Sequence, residues 1–321
     1  LIVGHELHVT ASVGIAVYPS DGATQHDLMI HADTAMYHAK QRGKNSYCFY
    51  DAAMNSDVQD HLSLLNDLHV ALERGELELH YQPKFLASSG AVCGAEALLR
   101  WWHPARGLIA PDKFIPLSEK NGLIIPIGAW VLNEACRQMA QWHREGHGDW
   151  TIAVNLSPLQ FCHARLIEVV RDALDRHALR PGSLTLEITE TTAMRDAQES
   201  AAILDQLAAM GVQISIDDFG TGYSSLLYLK RLPATELKID RSFVMSLVPD
   251  SDDAAIVASI IALGQTLNMY IVAEGVETAA QRSLLTELGC HILQGYLLGK
   301  PMPAPLFCET VAMSHVAPRA I

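Results

Sequence analysis

The sequence predicts an α/β protein whose main body is a TIM-like (β/α)8 barrel, with a small incomplete α+β segment ahead of it. Three observations carry that prediction. From about residue 61 onward, apolar strand-like segments alternate with helical ones, the order that builds a mainly parallel sheet covered by helices. Eight such strands favour closure into a barrel over an open doubly wound sheet, and no GxGxxG follows the first strand to suggest a dinucleotide site. Polar side chains fall at or near the C-terminal ends of these strands, the end at which a barrel forms its active-site mouth.

The first elements precede the barrel. HVTASVGIAVYP (8–19) alternates as a strand does and runs into a Pro–Ser–Asp–Gly turn. In HDLMIHADTAMYHAKQRG (26–43), Leu28, Ala32, Ala35, Met36 and Ala39 have helical spacing, with Gly43 placed as a C-cap. KNSYCFY (44–50) reads as one more short strand. Two strands and a helix are too little for an independent core. The chain divides near Asp51–Asp60, giving pieces at 1–54, 55–312 and a tail at 313–321.

The barrel strands read as LELHYQPKF (77–85), GAEALLRWW (94–102), TIAVNLS (151–157), LTLEITE (184–190), VQISIDDFG (212–220), ELKID (236–240), YIVAEGVE (270–277) and HILQGYLLG (291–299). Helical stretches at 128–143, 166–178, 200–211, 253–267 and 279–289 lie between most of them.

Bulk composition bounds the function. At 321 residues, with 49% hydrophobic and 18% charged side chains, the chain has a globular composition, long enough for one large domain and a smaller piece. No apolar run reaches the roughly 18–20 residues that span a bilayer, and the N-terminus lacks the pattern of a signal peptide. The formal charge of −13 argues against a broad basic surface for nucleic acid. It leaves room for a phosphate-bearing ligand, because bound divalent cations invert the local field. The cysteines Cys48, Cys93, Cys136, Cys162, Cys290 and Cys308 form no CxxC pair and read as reduced, mostly buried thiols of a cytoplasmic protein. The histidines show no HExxH and no metal-ligand spacing.

Seven groups gather at the strand ends: Glu96, Asn155, Glu187, Asp217, Asp218, Lys238 and Glu274. Each alone is an ordinary cap or ion-pair partner; together they describe a pocket. Uncompensated, buried carboxylates cost several kcal/mol each, and cations remedy this. Oxygen donors suit hard ions such as Mg²⁺ or Mn²⁺. Lys238 and Asp240 share a strand face, and Glu187 lies opposite Leu186 and Ile188. Asp217 and Asp218 are adjacent and so cannot both follow one strand face; at a strand end the second can turn into the loop, and the pair could then serve two ions roughly 3.5–4 Å apart.

The motifs are YQPK (81–84), GAEALLRW with Glu96-Ala97-Leu98, NLS (155–157), EITE (187–190), DDFGTGYSSL (217–226), KID (238–240), AEGVE (273–277) and QGYLLGKPMP (294–303). In this order they resemble the EAL family of cyclic di-GMP phosphodiesterases over about residues 61–310, with no departure at a catalytic position. SVGIAVYPSDG and ADTAMYHAKQRGKNSYCFY resemble the C-terminal end of a GGDEF, or diguanylate cyclase, domain whose signature loop is missing, so that piece should have no cyclase activity.

The resemblance implies two Mg²⁺ or Mn²⁺ ions. Glu96, Asn155, Glu187 and Asp217 would hold the first; Asp217 would bridge to a second, bound with Asp218 and Glu274. Lys238 would hold the attacking water. Glu274 remains open between ligand and general base, and Glu277 would orient Lys238 or the water. Glu190 would anchor the glycine-punctuated loop that holds Gly220 and Gly222. Substrate contacts carry over to Gln82, Arg100, Asp240 and Gln294, and to Tyr296, for which packing is an equal reading.

The expected activity is hydrolysis of cyclic di-GMP to linear pGpG. The resemblance also implies a homodimer, and sensory or GGDEF regions upstream in a full-length protein. A cytoplasmic location is expected, which leaves open a membrane anchor in regions beyond this sequence. The rival is an EAL-type receptor that binds cyclic di-GMP without cleaving it, and such receptors normally lack a metal or lysine position. An HD-GYP phosphodiesterase would need a downstream GYP, whereas the chain has only His26-Asp27 in the N-terminal piece.

Overall fold

The computed structural model describes residues 10–41, 45–220 and 226–314; the expected cap at Gly43, the loop glycine Gly222 and the tail from 315 lie outside them. The chain forms two compact units, Leu1–Val70 and Ala71–Ile321. In the first, Val13–Ile15 and Tyr47–Phe49 pair in parallel, joined through helix Gln25–Gln41. Ala35 and Ala39 of that helix are covered, while Val13, Tyr47 and Phe49 are exposed.

In the second unit eight strands close a barrel: β1 (Leu77–Leu86), β2 (Val92–His103), β3 (Thr151–Asn155), β4 (Leu184–Thr189), β5 (Gln213–Phe219), β6 (Glu236–Ile239), β7 (Tyr270–Ala273) and β8 (Ile292–Leu293). From β2 to β8 each strand pairs in parallel with the next. β1 closes the ring, antiparallel to both β8 and β2. The barrel is therefore the mainly parallel one expected, with its first strand reversed. Only residues 87–91 link β1 to β2; a parallel crossover needs roughly a dozen or more, so the short link makes a hairpin.

Strand alternation separates two layers. Leu186 and Ile188, Ile214 and Ile216, and Leu237 and Ile239 are buried on the face opposite Glu187, Ser215 and Lys238. The apolar face meets the helices. Helix Ile124–Arg144 buries Ile127, Val131, Ala135 and Met139 at four-residue spacing, together with Leu132 and Trp142. The C-terminal helix Ala304–Ser314 stacks Phe307 on Trp142, ring centroids 4.7 Å apart.

The later strands end sooner than their sequence patterns suggest, because their terminal polar residues turn to capping. Ser157 opens the helix Pro158–Phe161 with a capping box, Thr189 caps Glu190–Met194, and Asp240 caps Arg241–Met245. β2 departs in the other direction. It pairs with β3 only as far as Ala97, continues along β1 as far as Trp101 and pairs on its other edge with Gly107–Ile109. Glu96 thus lies within its strand, at the last part enclosed by the barrel, and not at the strand end.

No helix among the described residues is long and apolar enough to cross a membrane. All six cysteines are unpaired, but only Cys136 and Cys290 are buried and Cys162 is exposed, which corrects the expectation of mostly buried thiols.

Candidate active site

Neighbouring strands bring their polar side chains together through register. Glu96 stands opposite Gln82 of β1, Asn155 beside Glu187, and Asp217 beside Thr189. Glu274 follows the last residue of β7 and donates its backbone N–H to the Ile239 carbonyl.

Lys238 is the centre of this assembly. Its ammonium lies 2.6 Å from Glu274 Oε1, 2.8 Å from Glu187 Oε2, 3.2 Å from Asp217 Oδ1 and 3.9 Å from Glu96 Oε2. The lysine is 1% exposed. Burial disfavours its charge, yet the surrounding carboxylates hold its pKa well above the usual lysine range. Burial pushes the Glu187 carboxyl far up against the opposing pull of Lys238. It lifts Glu274 to about 7 in the same way. Glu96, equally buried, is held below the ordinary value by Lys238 and by hydrogen bonds from Gln294 and Asn155.

These bonds belong to a carboxamide relay. Gln82 donates to the Gly299 carbonyl at 3.0 Å, Gln294 donates to Gln82 Oε1 at 3.1 Å and to Glu96 Oε2 at 2.6 Å, and Asn155 donates to Glu96 Oε1 at 2.6 Å. Gln82 and Gln294 were expected to touch substrate. Here Gln294 bonds Glu96 directly, and Gln82 holds Gln294.

The Asp217–Asp218 pair is separated by the backbone. The β5–β6 register shifts between Ile216 and Phe219, and Asp218 has φ 54°, the left-handed region that a non-glycine residue rarely occupies. The turn expected beyond the strand is thus a bulge inside it. Asp217 reaches Lys238, whereas Asp218 faces Asp240; burial first, then the charges of Asp217 and Asp240, push its carboxyl up to about 6. Glu190, 2% exposed, accepts the Gly220 N–H at 2.9 Å, where the chain has φ 99° as it enters the loop.

A cavity of about 500 Å³ opens on the cluster. Of the expected residues, Gln82, Glu96, Asn155, Asp217, Glu274 and Gln294 line it, with Glu277 and Tyr296 also on its wall. Glu187 and Lys238 are buried and outside that lining. Arg100, Asp218, Asp240 and Glu190 are not brought to it. Arg100 donates to the Leu99 carbonyl, and Asp240 accepts the Ser242 N–H at 3.0 Å. The Glu277 side chain is exposed, apart from the four carboxylates around Lys238, and the exposed Tyr296 ring has Lys300 Nζ 5.4 Å from its centroid.

Sequence reasoning passed over Arg241, Met245 and Gly275, which also line the cavity. Arg241 adjoins the KID motif, and that adjacency was a usable signal. It also passed over the role of Lys84. This lysine, 2% exposed, lies 2.9 Å from Glu236 Oε1 and 4.0 Å from Glu187 Oε1. A lysine inside an apolar strand was its signal.

Five carboxylates (Glu96, Glu187, Asp217, Glu236, Glu274) thus share two ammonium groups, an excess of three negative charges when all are ionised. The donors are all oxygen, which suits hard divalent cations. Glu187 Oε1 is buried without a hydrogen-bond partner, an acceptor of the kind that a cation would satisfy. Among the described residues no group of three His, Cys, Asp or Glu side chains is set to hold a metal ion as it stands; the Lys238 ammonium occupies the centre of the carboxylates.

Comparison with known proteins identifies the family. Residues 65–301 match the family described as the EAL domain, and residues 2–46 match the diguanylate cyclase GGDEF domain. The bifunctional diguanylate cyclase/cyclic di-GMP phosphodiesterase MucR of Pseudomonas aeruginosa is 65% identical over 308 residues, 96% of this chain and 45% of that protein. The cyclic di-GMP phosphodiesterase NbdA of the same organism is 42% identical over 300 residues, 94% and 38% of the two lengths. The chain therefore spans less than half the length of these curated relatives. The solved structure of the PaMucR phosphodiesterase in complex with c-di-GMP is 67% identical, with a TM-score of 0.75 over 76% of this chain and 99% of that one.

Proposed function

The chain belongs to the EAL domain family, and from that premise we propose that it hydrolyses one phosphodiester bond of cyclic di-GMP to give linear pGpG. The observation that carries the proposal is the buried Lys238 ammonium ringed by Glu274, Glu187, Asp217 and Glu96 at the base of an open cavity. Two relatives are named as cyclic di-GMP phosphodiesterases, and a solved neighbour at 67% identity holds c-di-GMP.

The EAL phosphodiesterase family is generally metal-dependent. Our reading places two Mg²⁺ or Mn²⁺ ions here, the first on Glu96, Asn155, Glu187 and Asp217, the second on Asp217, Asp218 and Glu274. Bound there, they supply Lewis-acid polarisation of the phosphate and a more acidic water. The chain's own groups do the rest. Lys238 holds the attacking water and offsets charge growing on the phosphate. Glu274, whose carboxyl burial lifts to about 7, takes the proton or acts as a ligand. The Gln82–Gln294–Glu96 relay fixes the Glu96 carboxylate, and Glu190 anchors the loop through Gly220. We assign Arg100, Asp240 and Tyr296 to the substrate and Glu277 to orienting Lys238 or the water; of these four, Tyr296 and Glu277 line the cavity and Arg100 and Asp240 stand outside its lining.

The same proposal assigns 1–54 to a GGDEF segment, 55–312 to the barrel and 313–321 to the stretch after it, in a cytoplasmic homodimer that carries upstream sensory or GGDEF regions in the full-length protein. Six unpaired cysteines support the cytoplasmic assignment.

The test is a chromatographic assay with cyclic di-GMP and Mg²⁺ or Mn²⁺, with Glu96→Ala as the control. Appearance of pGpG in the wild type alone supports hydrolysis. Cyclic di-GMP binding with no pGpG would make the chain a receptor module instead.

A further inference from the structure

We propose that Gln281, which lies outside the cavity, is a positioning residue that joins two walls of the substrate pocket; the proposal rests on the hydrolase reading above. One wall is the segment that leaves β7, with Glu274, Gly275 and Glu277 on the cavity. The other is the helix Arg241–Met245 that follows β6, with Arg241 and Met245 on the cavity.

These walls come from different βα connections, and three contacts seam them together. At the first, the Glu274 N–H donates to the Ile239 carbonyl at 3.4 Å. At the second, Gly275 has φ 68°, and a Cβ there would lie 2.8 Å from Arg241 Cβ, so the backbones abut.

Gln281 closes the third. Its Oε1 accepts from the Glu277 and Thr278 N–H groups at 2.8 and 2.9 Å, which completes a capping box for helix Ala279–Glu287. Its Nε2 donates across the seam to the carbonyls of Val244 and Met245, at 2.9 and 3.3 Å. The side chain is 6% exposed.

The two halves of the amide therefore do different work. The oxygen caps a helix, a role that glutamate fills equally well. The nitrogen bonds the last carbonyls of a helix whose first residue and last residue both line the cavity, and glutamate cannot do that, because its second oxygen meets two carbonyl oxygens. With the donor lost, the Arg241–Met245 helix shifts against the Glu274–Glu277 segment, and substrate binding weakens before chemistry does.

Gln281→Glu separates these roles. In the full chain it is expected to raise KM for cyclic di-GMP roughly tenfold, the worth of two neutral hydrogen bonds, with kcat changed less than about threefold. Hydrogen exchange should speed up over residues 241–246 and stay at wild-type rates across helix 279–287. Gln281→Leu, which removes the side-chain bonds on both sides, should raise KM at least as far and also destabilise the helix. A wild-type KM in either variant overturns the proposal, as does equal acceleration of exchange on both sides of the seam. Absence of turnover in the wild type would instead remove the hydrolase reading, and the exchange measurement would still decide the seam.

Discussion

Lys238 Nζ and Glu274 Oε1 are 2.6 Å apart inside the barrel, the shortest of four contacts between one buried ammonium and four carboxylates. The lysine comes from β6 and the glutamate from the segment after β7, strands whose register sets Lys238 beside Val272. A conformational shift of either strand would therefore separate charge from charge.

Replacing the ammonium by a neutral group of similar length tests its part in the chemistry. Lys238→Met should lower kcat by about 10²–10³ with KM changed far less, as removal of a donor aimed at developing charge does. Steady-state assay of pGpG release checks this; a fall in kcat/KM carried by KM alone contradicts it.

Glu190 accepts the Gly220 N–H, and its proposed role is to anchor the loop through that bond. A hydrogen bond to a buried carboxylate is worth roughly 1.5–3 kcal/mol, so Glu190→Ala should cut turnover about ten- to a hundredfold and raise the metal concentration needed for half activity. Circular dichroism should show the barrel folded. Turnover unchanged across a Mg²⁺ titration would refute the anchoring role.

The Lys84–Glu236 pair should report on stability. Lys84→Met alone leaves Glu236 buried and unpaired and should cost about 3–5 kcal/mol, whereas Lys84→Met with Glu236→Gln should recover most of that loss. Urea unfolding of the two variants measures the difference. Equal stabilities would show that the pair is not coupled.

Burial also sets an alkaline limit. The thiols of Cys136 and Cys290 are pushed up to about 12, and that of Cys93 to about 11. An unfolded thiol ionises from an ordinary value of 9.0, so between that pH and about 11–12 the unfolded chain binds fewer protons than the folded one. Stability should be unaffected by these groups below pH 9 and fall as pH rises through that window. Cys93→Ser should flatten the lower part of the fall in a pH series of melting curves.

Much of this was legible in the sequence. Period-two alternation marked Glu187 and Lys238 as facing opposite to Leu186 and Leu237, because strand geometry alone decides which side chains share a face. Local patterning also located the eight strands, but it read Ser157 and Asp240 as strand residues, and their capping of the following helices shortened those strands. The bulge that divides Asp217 from Asp218 was only half legible: adjacency forbids a common strand face, but the left-handed φ of Asp218 depends on its pairing with β6.

The sequence by itself determined the repeat of strands and helices, the family motifs and the residue types of the site, since each depends on near neighbours in the chain. The tertiary structure decided the partners: Lys84 with Glu236, Gln294 with both Gln82 and Glu96, and Gln281 with the carbonyls of Val244 and Met245. These contacts join residues 36 to 212 positions apart. Only closure of the barrel, with β1 reversed between β8 and β2, brings Gln82 beside Gln294, and no local pattern carries that distance.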